Sequence, residues 1–240
     1  MCVEVLQFRS EIDQARTELN RLGLSCVTSS AWWQPMLCRL GLAKEIPVGD
    51  YLKSWDVLRT ATFIKERVLR DAPILDVGAY ASEILYVLHR LGYTNLTGID
   101  LDPKLKSMPY ADGIRYEVSD FMHTPFKSGL FEVITAISVI EHGLDSQALL
   151  AEMSRLLRPG GHFIASFDYW PEKVEATDIR FFGMDWRIFS EQEVLAFIDG
   201  AREYHLTPNG DIALKAHDKT VMYADRNYTF AWMVLRKGLA

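Results

Sequence analysis

Apolar residues fall along the chain in two rhythms, and the change from one to the other comes near Pro73. Before it the period is helical. Val5, Phe8, Ile12, Ala15, Leu19 and Leu22 recur at the spacing of one helix face, and Gly23 supplies a stop. A second helix is predicted between Ser30 and Gly41, with Trp32, Met36, Leu37 and Leu40 as its apolar stripe. After a loop over EIPVGDY, a third helix is predicted from Ser54, a suitable N-cap, through Val57, Ala61, Ile64 and Val68 to Leu69.

From Ile74 onward short apolar runs alternate with amphipathic stretches. ILDV (74–77), LTGID (96–100), IRYEVS (114–119), EVITAIS (132–138) and HFIASF (162–167) read as strands. Ser82 to Leu91 and Gln147 to Leu157 read as helices, the second ended by Arg158-Pro159-Gly160-Gly161. Such alternation predicts parallel strands joined by right-handed crossovers, an α/β, doubly wound, Rossmann-like sheet. The tail differs. A helix near Glu191 to Ile198 is followed by strand-like residues around Leu206 and Ile212 to Leu214, then by YTFAWMVLR (228–236) with no helix after it. That last pair predicts an antiparallel hairpin at the edge of a seven-stranded, mostly parallel sheet. The expected organisation is a helical N-terminal extension or lid over residues 1–70 and a nucleotide-binding domain over residues 71–240.

Composition narrows the class. The chain has 240 residues, 49% apolar and 24% charged, which excludes disordered and coiled-coil proteins. No apolar run approaches the ~18 residues of a membrane span, and MCVEVLQFRSEID lacks the features of a secretory signal. Three cysteines, Cys2, Cys26 and Cys38, share no metal-ligand spacing and point to reduced thiols and a cytoplasmic location. A net charge of −6 argues against nucleic acid as partner and leaves a small molecule as the expected substrate.

In open α/β sheets ligands bind beyond the carboxyl ends of the strands, where strand order reverses. The residues after each strand are therefore the candidates. After the first comes Asp76-Val77-Gly78-Ala79-Tyr80-Ala81-Ser82, where Gly78 permits a tight turn and the following helix offers free N–H groups. After the second comes Asp100, whose carboxylate can accept both hydroxyls of a ribose. After the third, Asp120 offers an acceptor for an exocyclic amine and Phe121 a ring to stack on a base.

The stretches ILDVGAYASE, LTGIDLDP, VSDF, FEVITAISVIEH and LLRPGGHFIASF resemble the class I S-adenosylmethionine-dependent methyltransferases over roughly residues 70–237. The EH after the fourth strand and the LRPGG before the fifth are the more telling, and strand-four sequences ending in EH are common in the ubiquinone-biosynthesis-like group. The resemblance implies S-adenosyl-L-methionine as cofactor and methyl transfer to a small-molecule acceptor. It implies that Asp76 and Gly78 contact the methionine end and that Asp100 binds the ribose. Leu101 would pack on the adenine, Asp120 would accept from the adenine amine with Phe121 beside it, and the backbone of Ile137 and Ser138 would floor the methionyl part.

Tyr80 and Ser82 stand where the family carries the second and third glycines of G-x-G-x-G, so Tyr80 is expected to crowd the cofactor or pack over it. His142 is the candidate general base for an oxygen nucleophile; its other reading is a loop histidine that orients a turn or hydrogen-bonds substrate. Glu141 is expected to pack structurally or pair with a cation. Relatives with E-x-x-E-H bind a metal through it, but Ser138 takes the first position here, so no metal is expected.

Asp168-Tyr169-Trp170-Pro171 and Asp185-Trp186-Arg187 are expected on the substrate side. Of the adjacent Trp32 and Trp33, one is free for a lid or interface. Lys53, Trp55 and Arg59 precede the domain, where relatives close over the cofactor. Two other classes fit the same pattern less completely. A methyltransferase-like binding protein would keep the fold without catalysis. A dinucleotide-dependent oxidoreductase would show G-x-G-x-x-G, of which only Gly78 stands.

Overall fold

The short apolar runs from Ile74 onward lie side by side in a computed structural model of the chain, which describes residues 1–26, 48–109, 111–143, 145–176, 178–181 and 183–239. In chain order the strands are β1 (Val3–Val5), β2 (Ile74–Val77), β3 (Leu96–Asp100), β4 (Ile114–Val118), β5 (Phe131–Ile137), β6 (Leu157–Tyr169), β7 (Arg180–Phe181), β8 (Met184–Asp185), β9 (Leu206–Pro208), β10 (Val221–Tyr223) and β11 (Arg226–Lys237). The helices are α1 (Arg9–Arg21), α2 (Ser54–Arg67), α3 (Ile84–Arg90), α4 (Ser146–Leu156) and α5 (Glu191–Glu203).

The main sheet runs β1-β11-β6-β5-β2-β3-β4, with β9 and β10 also paired to β11. Strands β2 to β6 are mutually parallel and β11 is antiparallel to β6. Strand order reverses between β2 and β5, the place where such sheets open a ligand crevice. Side chains alternate between two cores. Ile74, Val133, Ile164 and Trp232 pack with α1, α2 and α3 on one face, while Leu75, Ile134, Phe163 and Met233 pack with α4 and α5 on the other.

Several expectations are corrected. The apolar spacing from Val5 to Leu22 predicts one helix, yet Val3–Val5 is a strand paired with Ala231–Met233, and α1 begins only at Arg9. Glu11 closes this helix start by accepting from the backbone N–H groups of Gln7 and Phe8 at 3.0 and 2.9 Å. Among the described residues the sheet has nine strands, seven along its main path and two more paired to β11. The last strand is no bare edge: β10, β1 and β9 lie end to end along the side of β11 away from β6. The hairpin partner is β10, reached through Ala224 and Asp225, both at positive φ as a two-residue turn requires. Arg158-Pro159-Gly160-Gly161, read as a turn, is the first part of β6, with a register irregularity opposite Phe131 and Val133. The helix expected between Ser30 and Gly41 lies outside the described residues, with Trp32, Trp33 and Cys38.

A buried ion pair joins α1 to the loop between β2 and α3. Both terminal nitrogens of Arg16 donate to the Glu83 carboxylate at 2.8 Å, and its remaining donors reach the hydroxyls of Ser54 and Ser25 and the Asp50 carbonyl. A planar guanidinium satisfies five partners at once, which is why arginine and not lysine serves in a buried fork.

Candidate active site

A cavity of about 860 Å³ opens at the carboxyl ends of β2, β3 and β5. Of the residues singled out from sequence, Gly78, Tyr80, Asp100, Leu101, Phe121, Ile137, Ser138 and His142 line it; Asp76 and Asp120 do not. The cavity crosses the strand order β3-β2-β5 and borders the segment that packs on β6, so its two ends differ in the elements that build them.

The β3 end is made of loop backbone. Gly78 has φ +73°, and a Cβ there would meet Val139 Cγ2 at 2.5 Å, so only glycine lets the loop after β2 lie against the segment after β5. The missing glycines at 80 and 82 are not needed for conformation: besides Gly78, the left-handed residue of this loop is Ala81, at φ 61°. Tyr80 flanks the cavity instead of filling it, half-buried against the α1–α3 core. Its backbone N–H donates to Asp100 Oδ2 at 3.0 Å, and the Asp102 N–H donates to Oδ1 at 2.8 Å. Each carboxylate oxygen keeps a further lone pair for another donor.

Asp76 lies wholly buried beneath this loop, accepting from the Thr135 hydroxyl at 2.6 Å. Burial pushes its pKa up to about 7, against the Thr135 and Ser82 hydroxyls. Asp76, the second-last residue of β2, is taken up by Thr135, its direct partner on β5, before Gly78 turns the chain toward the cavity. Asp120 is exposed and accepts from the Met122 N–H at 2.9 Å, capping the turn after β4, with His123 Nδ1 at 3.8 Å. A local turn has taken the side chain expected at the adenine, while Phe121 remains in the wall.

The β5–β6 end is built from side chains far apart in sequence. Ser138 follows β5 at φ 55°, a strained conformation for a non-glycine residue, and His142 lies one turn further on. Burial lowers the His142 pKa, with Lys53 adding to the effect and Asp168 opposing it, so the imidazole is neutral at pH 7. Asp168, at the end of β6, accepts from Trp186 Nε1 at 2.8 Å and from Lys53 Nζ at 3.5 Å. Beneath them sit two buried acids. Burial and Asp168 push Glu141 up to about 8, against Lys53 and the Ser138 hydroxyl. Burial pushes Asp56 up to about 7, against Lys53 and Ser166.

The expected substrate-side aromatics divide. Trp186 is buried and Trp170 half-buried beneath the Lys219 ammonium, whereas Asp185 pairs with Arg180 at 2.9 Å. Arg59 pairs with Glu4 and Trp55 is core, so of the three candidates ahead of the domain only Lys53 reaches the cavity. Sequence reasoning missed Asp56 and the joint placement of Lys53 with Asp168. An acid in the first turn of α2, three residues after the lysine that precedes the helix, was the available signal.

Residues 75–165 match the family described as "Methyltransferase domain". The chain is 30% identical over 105 residues to the ubiquinone biosynthesis O-methyltransferase of Xanthomonas oryzae pv. oryzae, covering 41% of this chain and 44% of that protein. It is 32% identical over 147 residues to the phthiotriol/phenolphthiotriol dimycocerosates methyltransferase of Mycobacterium leprae, covering 58% and 52%. The chain thus spans about half the length of these curated relatives. In structure it is similar to the 1,6-didemethyltoxoflavin-N1-methyltransferase of Burkholderia thailandensis, solved with 1,6-didemethyltoxoflavin and S-adenosylhomocysteine, at TM-score 0.56 and 20% identity over 76% of this chain and 78% of that one.

Proposed function

Residues 75–165 are a class I S-adenosylmethionine-dependent methyltransferase domain, and from that premise we propose that the protein methylates a small-molecule acceptor, oxygen in preference to nitrogen or carbon. S-Adenosylmethionine supplies a methyl group already activated on a sulfonium, so the protein's work is alignment, exclusion of water and removal of a proton. The observation that carries the reading is the two-ended cavity, with Asp100 at one end and a neutral His142 at the other.

The residues present fit the cofactor. Asp100 is held by two backbone donors with acceptor capacity left for ribose hydroxyls, and Gly78 keeps the loop close without a side chain in the way. Leu101 and Phe121 supply apolar surface for the adenine, and the backbone of Ile137 and Ser138 a floor for the methionyl part. Buried Asp76 acts on the loop from behind rather than on the ligand. His142 takes the acceptor proton on its neutral imidazole. The O-methyltransferase named among the relatives supports an oxygen acceptor.

Residues 1–70 supply Asp50, Lys53 and Val57 to the cavity wall, which supports a covering role over residues 71–240. No described helix is long and apolar enough to cross a membrane, and the thiols of Cys2 and Cys26 are free, in keeping with a cytoplasmic setting. The test is calorimetric. S-Adenosylhomocysteine is expected to bind and NADH not to; binding of NADH alone would return the protein to the oxidoreductases. Once an acceptor is in hand, His142→Ala should lower turnover far more than cofactor affinity, and unchanged turnover would remove the histidine from the mechanism.

A further inference from the structure

Lys53 lines the cavity in the region of His142, and nothing in the methyl-transfer reading so far uses it. An ammonium carries three N–H donors. Here Asp168 Oδ1 engages one at 3.5 Å, Asp56 Oδ2 stands at 3.9 Å, beyond hydrogen-bond reach, and the Phe230 ring centroid lies 3.5 Å from Nζ. A self-sufficient charge-assisted N–H···O bond closes to about 2.7–2.9 Å. The carboxylates therefore hold the ammonium in place without exhausting it, and Phe230 closes off one side. With its side chain still 17% exposed, Lys53 keeps donor capacity for a ligand in the cavity.

Resting on the methyl-transfer reading, we propose that Lys53 recognises the acceptor, and that the acceptor is an acidic hydroxyl, a phenol or an enol, which Lys53 stabilises as its oxyanion. The proton leaves the hydroxyl for the His142 imidazole. The oxygen pair then forms the bond to the methyl carbon as the carbon–sulfur pair returns to sulfur. A fixed ammonium selects this class for a simple reason: it stabilises an oxygen that becomes negative and repels an amine that becomes positive on methylation. Asp168 compensates part of this charge, and Trp186 Nε1, which donates to its other oxygen, disperses some of the carboxylate's field. Glu141 and Asp56 lie wholly buried behind the ammonium, where the protonated form is favoured.

The test titrates 4-nitrophenol, whose phenolate absorbs visible light, into protein saturated with S-adenosylhomocysteine, for the wild type, Lys53→Met and Lys53→Arg. The wild type is expected to shift the bound probe toward phenolate by roughly tenfold, about one pKa unit. Lys53→Met abolishes the shift and Lys53→Arg restores most of it. The same probe ionisation in wild type and Lys53→Met, or a probe that stays unbound while S-adenosylhomocysteine binds, overturns the assignment of Lys53. Failure of S-adenosylhomocysteine to bind the wild type overturns the methyl-transfer reading itself. Both variants should hold S-adenosylhomocysteine within about threefold of wild type. If Lys53→Met loses that affinity through misfolding, Lys53→Arg decides: full cofactor affinity without a phenolate shift counts against the proposal.

Discussion

The two ends of the cavity are built by opposite means. At the β3 end, Asp100 is oriented by the backbone N–H groups of Tyr80 and Asp102, and the loop shape rests on Gly78 and on Ala81 at positive φ. At the β5–β6 end, Lys53 just ahead of α2 and Trp186 after β8 both donate to Asp168 of β6, with Asp56 of α2 and Glu141 after β5 buried beside them. Backbone geometry tolerates exchange of side chains, as Tyr80 and Ser82 in place of glycines demonstrate. A cluster of buried polar and ionisable groups tolerates little, because each member left unpaired carries its full desolvation cost.

The largest break in this contrast is expected from Arg16→Ala. It leaves Glu83, which borders the β3 end, buried without its cation, and should destabilise the fold by about 3–5 kcal/mol in denaturant unfolding. A loss below about 1 kcal/mol would mean that the loop stands without its tether to α1.

Next, Asp100→Ala removes one anchored carboxylate and should weaken S-adenosylhomocysteine by roughly a hundredfold in calorimetry, the equivalent of about 2.7 kcal/mol. Asp168→Ala, at the other end, should alter that affinity by less than about threefold. Equal losses would dissolve the distinction between the ends.

A third test uses pH. Asp56 and Asp76 are raised to about 7 and Glu141 to about 8, so the folded chain binds protons that the unfolded chain has already released above its ordinary carboxylate range of about 4. Their stabilising protons are fully bound below that range and lost as pH climbs through the folded values. Unfolding free energy should therefore fall between about pH 4 and pH 8, and Asp76→Asn should flatten the slope. An Asp76→Asn curve parallel to the wild type would show that this carboxyl is ionised in place. The smallest effect is expected from Arg59→Ala, whose pair with Glu4 is partly exposed and should contribute less than about 1 kcal/mol.

What was legible in the sequence follows the same division. ILDV and LTGID are strands at the residues read, since their burial is set by runs only a few residues long. The β3 end, which hangs on loops between neighbouring parallel strands, could be named almost residue by residue. Asp120 escaped because a carboxylate that follows a strand has two local fates, facing the crevice or capping the next turn, and spacing does not separate them. Val3–Val5 escaped for another reason. Its apolar residues extend the helical period of α1 by chance, and what makes it a strand is a partner at residues 231–233. Lys53 and Asp168, 115 positions apart, have no local signature at all.

The arrangement around β11 also bears on when the molecule can assemble. That strand is made after β1, β6, β9 and β10, yet all four lay their hydrogen bonds against it. The nascent chain must therefore carry Val3–Val5 without its β11 partner, and an open rim on β6, until Arg226–Lys237 has been made. A transcript halted short of Arg226 would yield a product with exposed ladder groups, fit for chaperones and proteases rather than for folding.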